Sequence, residues 1–184
     1  ANGAAPGVAL AVGRWRRLVH LRGYGRIDVP ADAPAVTDST MFDMASLTKV
    51  VATTTAAMIL EDEGRLDLDA PVHTYLPELN DTAKARITVR MILTHNAGFE
   101  AFAALWRDYH GRAQYLAQIN ARPLAYAPGD SVIYSDWDFV LDGLVGERIT
   151  GMPLDDFVPT RGWAPLGLRG KGVNRTAPGA QPPA

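Results

Sequence analysis

From Leu47 to Leu60 almost every position is apolar or small, and this run constrains the fold more than any other stretch. Leu47, Val50, Val51, Thr54, Ala57, Met58 and Leu60 recur at helical spacing, and Gly64 supplies a C-terminal stop. A helix that is apolar nearly all round until Glu61 belongs in a buried, central position. At its start Ser46 and Lys49 stand three residues apart, so both side chains lie on one helix face and can meet. A serine hydroxyl becomes a nucleophile when a neighbouring base takes its proton, and a lysine buried at a helix start has reason to lose its own. The pair therefore predicts a serine acyl-transfer site, although Ser-x-x-Lys also arises by chance and Ser46 can instead cap the helix.

The flanking text is mixed α and β. Residues 7–25 read as two short strands joined by a polar turn over Gly13 to Arg17, a hairpin that needs further strands or a helix to lie against. Residues 28–41 read as an irregular connection. Thr88 is placed to cap a short helix through Leu93, closed by His95-Asn96-Ala97-Gly98. Short helices are expected over Phe102 to His110 and Arg112 to Ile119, and a longer one after Tyr134-Ser135-Asp136, with Asp136 as its cap. Gly143 and Gly146 in that helix permit close packing. A turn at Thr150 to Pro153 leads into a short helix through Val158. Residues 1–168 thus form one partial domain, and the Gly- and Pro-rich residues 169–184 read as a flexible tail.

Several function classes recede on composition. Lys and Arg number 18 against 20 Asp and Glu, a net charge of -2, and no basic patch interleaved with aromatics points to nucleic acid. No charge-free apolar stretch reaches the roughly 18 residues of a membrane span. Cysteine is absent, which fits any compartment, and the start at Ala1 fits a cytoplasmic protein or a periplasmic or secreted one after signal removal. The histidines His20, His73, His95 and His110 lack metal-ligand spacing, so neither a metal nor a cofactor is expected.

Three polar islands remain: Ser46 with Lys49, His95-Asn96, and Tyr134-Ser135-Asp136. Acyl transfer needs a nucleophile, a proton acceptor, a donor to the leaving group and N–H groups for the oxyanion. Asp136 can hold Lys49 by charge, but it also favours the ammonium, which opposes a lysine base. That makes Tyr134, beside an ammonium, the better proton acceptor. The bland alternatives are a half-buried core tyrosine at 134 and a hydrogen-bonded structural histidine at 95.

An ordered set of segments resembles the serine beta-lactamase and penicillin-binding-protein superfamily, in its class C beta-lactamase, D-alanyl-D-alanine carboxypeptidase and family VIII esterase branch. The set comprises Met41 to Lys49, Gly64 to Val72, Ile92 to Gly98, Pro128-Gly129, Tyr134-Ser135-Asp136 and Ala164 to Gly167. The resemblance implies Ser46 as the acylated nucleophile, Lys49 as its activating partner and Tyr134 as proton relay, with Asp136, Ser135 and His95 binding substrate or supporting the site. Many relatives carry Asn at the position of Asp136. An amide can donate to a substrate carbonyl and an aspartate only accepts. Small esters are therefore the expected substrates, with beta-lactams or D-alanyl peptides as the alternative.

The resemblance further implies an α+β, beta-lactamase/transpeptidase-like fold in truncated form: the N-terminal hairpin and a helical region over 46–168, without most of the antiparallel sheet. Relatives carry a third motif, Lys/His-Thr/Ser-Gly, on a strand of that sheet, and Lys171-Gly172 is no substitute because the hydroxyl residue is missing. Loss of one oxyanion donor costs about 3 kcal/mol. The expected partners of the apolar surfaces left bare are a separate C-terminal fragment or a second copy of the chain. A catalytically inactive or binding-only chain is the rival expectation.

Overall fold

The computed structural model describes residues 3–168, in two compact units that divide between Ala45 and Ser46. The tail expected over 169–184 lies outside the described residues.

The first unit is built on an antiparallel hairpin of β1 (Gly7–Arg14) and β2 (Arg17–Gly25), pairing Gly7 with Gly25 and Arg14 with Arg17. Trp15 and Arg16 form its two-residue turn with φ of 52° and 62°. Two successive left-handed residues match the right-handed twist of the strands. The irregular connection expected after it folds back on the hairpin, where the Val36 N–H donates to the Gly25 carbonyl at 3.0 Å. Gly23 makes this approach possible, since a Cβ there would lie 2.7 Å from the Thr37 Cα. Val8, Leu10, Val12, Leu18, Val19 and Leu21 stay exposed.

The second unit is helical. Its first helix runs from Leu47, is π-helical over Lys49–Thr54, and continues as α1 (Thr55–Asp62). This helix is not the buried centre that its composition predicts. The small residues Ala52, Thr53, Ala56 and Ala57, with Leu60, make its buried face, while Val50 and Met58 are 60% and 65% exposed. The central element is α4 (Asp136–Thr150), which packs against α1 and its π-helical start, α2 (Val89–Leu93), α3 (Gly111–Ala121) and α5 (Leu154–Phe157). Trp137, Leu141 and Val145 on α4 are buried in the core. A Cβ at Gly143 or Gly146 would meet only ordinary contacts, 3.7 Å or longer, so neither glycine is needed for the packing.

Local signals hold at α2, where Thr88 Oγ1 accepts from the Met91 N–H, and at the end of α4, where Gly151 turns left-handed with φ 70°. The helix expected over Phe102 to His110 shrinks to one 3₁₀ turn, Leu105–Arg107. The chain just before it is committed elsewhere: the carbonyls of Glu100 and Ala101 accept from Ser135 Oγ and the Asp136 N–H. Lys84, in a short turn, is fully buried and donates to Asp81 Oδ2 at 3.1 Å and to the carbonyls of Asn120 and Arg122 at 2.9 and 2.7 Å. It fastens that turn to the end of α3. Among the described residues no helix is long and apolar enough to cross a membrane.

Candidate active site

Ser46 sits at the mouth of the first helix, just after Ala45, whose φ of 43° is unusual for a residue with a side chain. Its hydroxyl is not the helix cap. Instead it lies 3.4 Å from Lys49 Nζ, which in turn lies 2.6 Å from Asp136 Oδ1 and 4.8 Å from the centre of the Tyr134 ring. An ammonium has three donors, and here two of them meet the serine hydroxyl and the aspartate, beside the tyrosine ring.

This arrangement sets the protonation states. Burial alone would lower the Lys49 pKa, but hydrogen bonds to Asp136 and Tyr134, and the charges of both, outweigh it and raise the pKa above its ordinary value. The side chains of Lys49 and Ser46 lower that of Tyr134, against smaller opposing effects of burial and the Asp136 charge. Lys49 is therefore an ammonium, and Tyr134 ionises more readily than a free phenol. Tyr134 is 52% exposed and is not part of the core cluster.

The approach of Tyr134 follows from how its segment is laced. Ser135, not Asp136, caps α4: its buried hydroxyl accepts from the Trp137 N–H and donates to the Glu100 carbonyl at 2.7 Å. Asp136 is thereby the first helical residue, free to turn its carboxylate onto Lys49. His95, at φ 59°, receives the Ile133 N–H on its carbonyl at 3.0 Å and the Ser135 N–H on Nδ1 at 3.2 Å. Its ring packs 4.6 Å from that of Tyr134 and 5.1 Å from that of Phe139. Gly98, at φ 102°, lets the neighbouring loop close, since a Cβ there would lie 2.5 Å from the Tyr126 carbonyl oxygen.

All six residues expected at the site, Ser46, Lys49, His95, Tyr134, Ser135 and Asp136, thus lie in one laced cluster. Two buried carboxyls on α4 were not anticipated. Asp138 Oδ2 stands 3.0 Å from His95 Nδ1, and Asp142 lies one helical turn further on. Burial pushes their pKa values up to about 8 and about 7. The sequence signal available was two carboxylates at i, i+4 within the apolar run of a helix. No group able to hold a metal ion is formed among the described residues. A separate pocket between α3 and α4, lined by Trp106, Tyr109, Tyr115, Phe139 and Leu144, contains none of Ser46, Lys49 and Tyr134.

The beta-lactamase family model matches residues 1–184, the whole chain. The chain belongs to the beta-lactamase family. Among family members, a protein of Escherichia coli K12 named "Putative D-alanyl-D-alanine carboxypeptidase" is 34% identical over 198 residues, covering 96% of this chain and 45% of that protein. A Pseudomonas syringae beta-lactamase/D-alanine carboxypeptidase structure superposes with a TM-score of 0.77 at 28% identity, over 89% of this chain and 45% of that one. A D-stereospecific amidohydrolase from Streptomyces is 34% identical with a TM-score of 0.58, over 67% of this chain and 42% of that one. The fold is accordingly the α+β, beta-lactamase/transpeptidase-like one, and the chain spans less than half the length of these family members.

Proposed function

We propose that this chain carries the acylation half-site of a serine hydrolase, with D-alanyl peptides and their beta-lactam analogues as its substrate class. The supporting observation is the ammonium of Lys49, held between Ser46 Oγ and Asp136 Oδ1 beside the ring of Tyr134. In this reading the Tyr134 phenolate, stabilised by Lys49, takes the Ser46 proton as Oγ attacks the substrate carbonyl carbon. The Ser46 N–H stands at a helix start, where it can donate to the developing oxyanion. As the carbon–nitrogen bond breaks, Tyr134 returns the proton to the leaving nitrogen and an ester remains on Ser46. Water then attacks that ester, gives its proton to Tyr134 and frees the serine.

The names of the similar proteins favour amide and lactam substrates over the small esters expected from Asp136. Asp136 bears on this as well. Its carboxylate is engaged by Lys49 at 2.6 Å, so its first task in this reading is to hold the ammonium, not to read a substrate.

The experiment is intact-mass detection of covalent adducts after incubation with a fluorophosphonate, a penicillin and p-nitrophenyl acetate. Wild type gains one adduct from the first two that Ser46→Ala does not gain. Equal behaviour of the two proteins with every reagent overturns the hydrolase reading and leaves a binding-only or inactive chain. Turnover of the acetate without any penicillin adduct returns the substrate class to small esters.

A further inference from the structure

The two peptide N–H groups that flank Tyr134 both end on one residue. Ile133 donates to the carbonyl of His95 and Ser135 donates to its Nδ1, at 3.0 and 3.2 Å. His95 therefore grips the backbone on either side of the tyrosine, and its ring lies against the tyrosine ring. The grip has a chemical condition. A backbone N–H can only donate, so Nδ1 must present its lone pair and the ring proton must sit on Nε2.

Asp138 Oδ2 approaches the same nitrogen at 3.0 Å. A carboxylate there would face a lone pair with a lone pair. A carboxylic acid would donate its proton to it. We infer that Asp138 is a positioning residue for Tyr134, donating as the neutral acid to His95 Nδ1 and so fixing the ring and its Nε2–H tautomer, with the one lone pair of Nδ1 shared between the acid and the Ser135 N–H.

The surroundings agree. Asp138 is 1% exposed, and its Oδ1 has no hydrogen-bond partner in the structure. A bare carboxylate in that position is costly and a neutral acid much less so. The titratable groups facing His95 are Lys49 from the first helix, Tyr134 against its ring, and Asp136 and Asp138 from α4, with the Tyr126 hydroxyl on its carbonyl; Asp142 lies one turn beyond Asp138. Burial and the Lys49 charge lower the His95 pKa, against a smaller opposing effect of Asp136, so the imidazole is neutral at pH 7. Burial also keeps the Asp138 proton in place until about pH 8. When Asp138 does ionise, its carboxylate can only accept. His95 then moves its ring proton from Nε2 to Nδ1 through solvent exchange, and the Ser135 N–H loses its acceptor.

The positioning role rests on the proposed hydrolase reading, but the hydrogen-bond state of His95 does not. The test begins with imidazole 15N NMR of the full wild-type chain, with His95 assigned by His95→Gln or, if that variant fails to fold, by elimination with Gln at His20, His73 and His110. The expected result is the neutral Nε2–H form at pH 7, changing to Nδ1–H with a midpoint near pH 8. An imidazolium or an Nδ1–H form at pH 7 overturns the inference whether or not Ser46 reacts.

The functional arm is the rate of fluorophosphonate labelling of Ser46. A loosened Tyr134 should cost Asp138→Ala on the order of tenfold or more, since small displacements of a reacting group carry large rate penalties. Asp138→Asn, whose amide donates at every pH, should recover most of that rate and abolish the alkaline change in the His95 tautomer. Equal labelling of Asp138→Ala and wild type refutes the positioning role. Failure of wild type to label at all refutes the hydrolase reading, and with it that role, while the NMR result still decides how His95 is held.

Discussion

Replacing Lys84 with Met tests how the loops behind the site are held. The ammonium of Lys84 is wholly buried and joins the Asp81 turn to the carbonyls of Asn120 and Arg122. The Asp81 carboxylate is partly open to water and can be resolvated, so the cost falls on the two carbonyls. Each loses a charge-assisted bond in a partly buried setting, at about 1–3 kcal/mol apiece. Met replaces the aliphatic stem, so cavity terms are small. A loss of about 3 kcal/mol is expected, a large share of the roughly 5–15 kcal/mol that stabilises a typical domain. In a thermal scan this is a fall of about 6–12 °C, at the roughly 2–4 °C per kcal/mol expected for a chain of this size. Urea unfolding should show the same loss in its midpoint at unchanged slope. Fluorophosphonate labelling of Ser46 at 20 °C should stay near wild type, because Lys84 touches none of the reacting groups. A loss below about 1 kcal/mol in both assays would refute the claim that the buried ammonium fastens α3 to the turn.

Two further outcomes follow from the ionisations. Tyr134→Phe should lower Ser46 labelling by roughly 10²–10⁴-fold, and the wild-type rate should rise with pH through a single ionisation below the ordinary tyrosine value of 10, since Lys49 holds the Tyr134 pKa down; a wild-type profile that Tyr134→Phe reproduces would count against the phenolate. Asp142, pushed up to about 7 by burial, binds its proton more tightly folded than unfolded. Its stabilising contribution is complete below the unfolded pKa near 4 and is lost as pH rises through 7. Urea midpoints should therefore fall between pH 5 and pH 8, and Asp142→Asn should remove part of that fall; an identical pH dependence in the variant would show that Asp142 is ionised throughout.

The residues of the candidate site were legible because their signals are local. Ser46 and Lys49 share a helix face, Thr88 announces α2, and Gly151 ends α4. Which helix is central was not legible. Val50, Val51 and Met58 read as core by type, yet the helix turns its small residues inward, where α4 comes close. Periodicity shows that a stripe exists but not which neighbour covers it. Likewise Asp136 and Ser135 are both good caps, and only the long-range bond from Asp136 to Lys49, with the bond from Ser135 to Glu100, decides between them. Nothing local marks Asp138 or Lys84 as buried, because their partners are 43 and 36–38 residues away in the chain.

The π-helical turn from Lys49 to Thr54 places an extra residue between the reactive start of the first helix and the part that anchors it. Each residue of a regular α-helix advances by about 100°. Closing the same residues as ordinary helix, with none removed, would swing Ser46 and Lys49 by about that angle relative to the buried face of α1. The serine and lysine would still be neighbours, but they would no longer look toward Tyr134. The wide turn thus acts as a phase setting between Ser46 and the scaffold, so the pitch of this segment matters more than the identity of any one side chain in it.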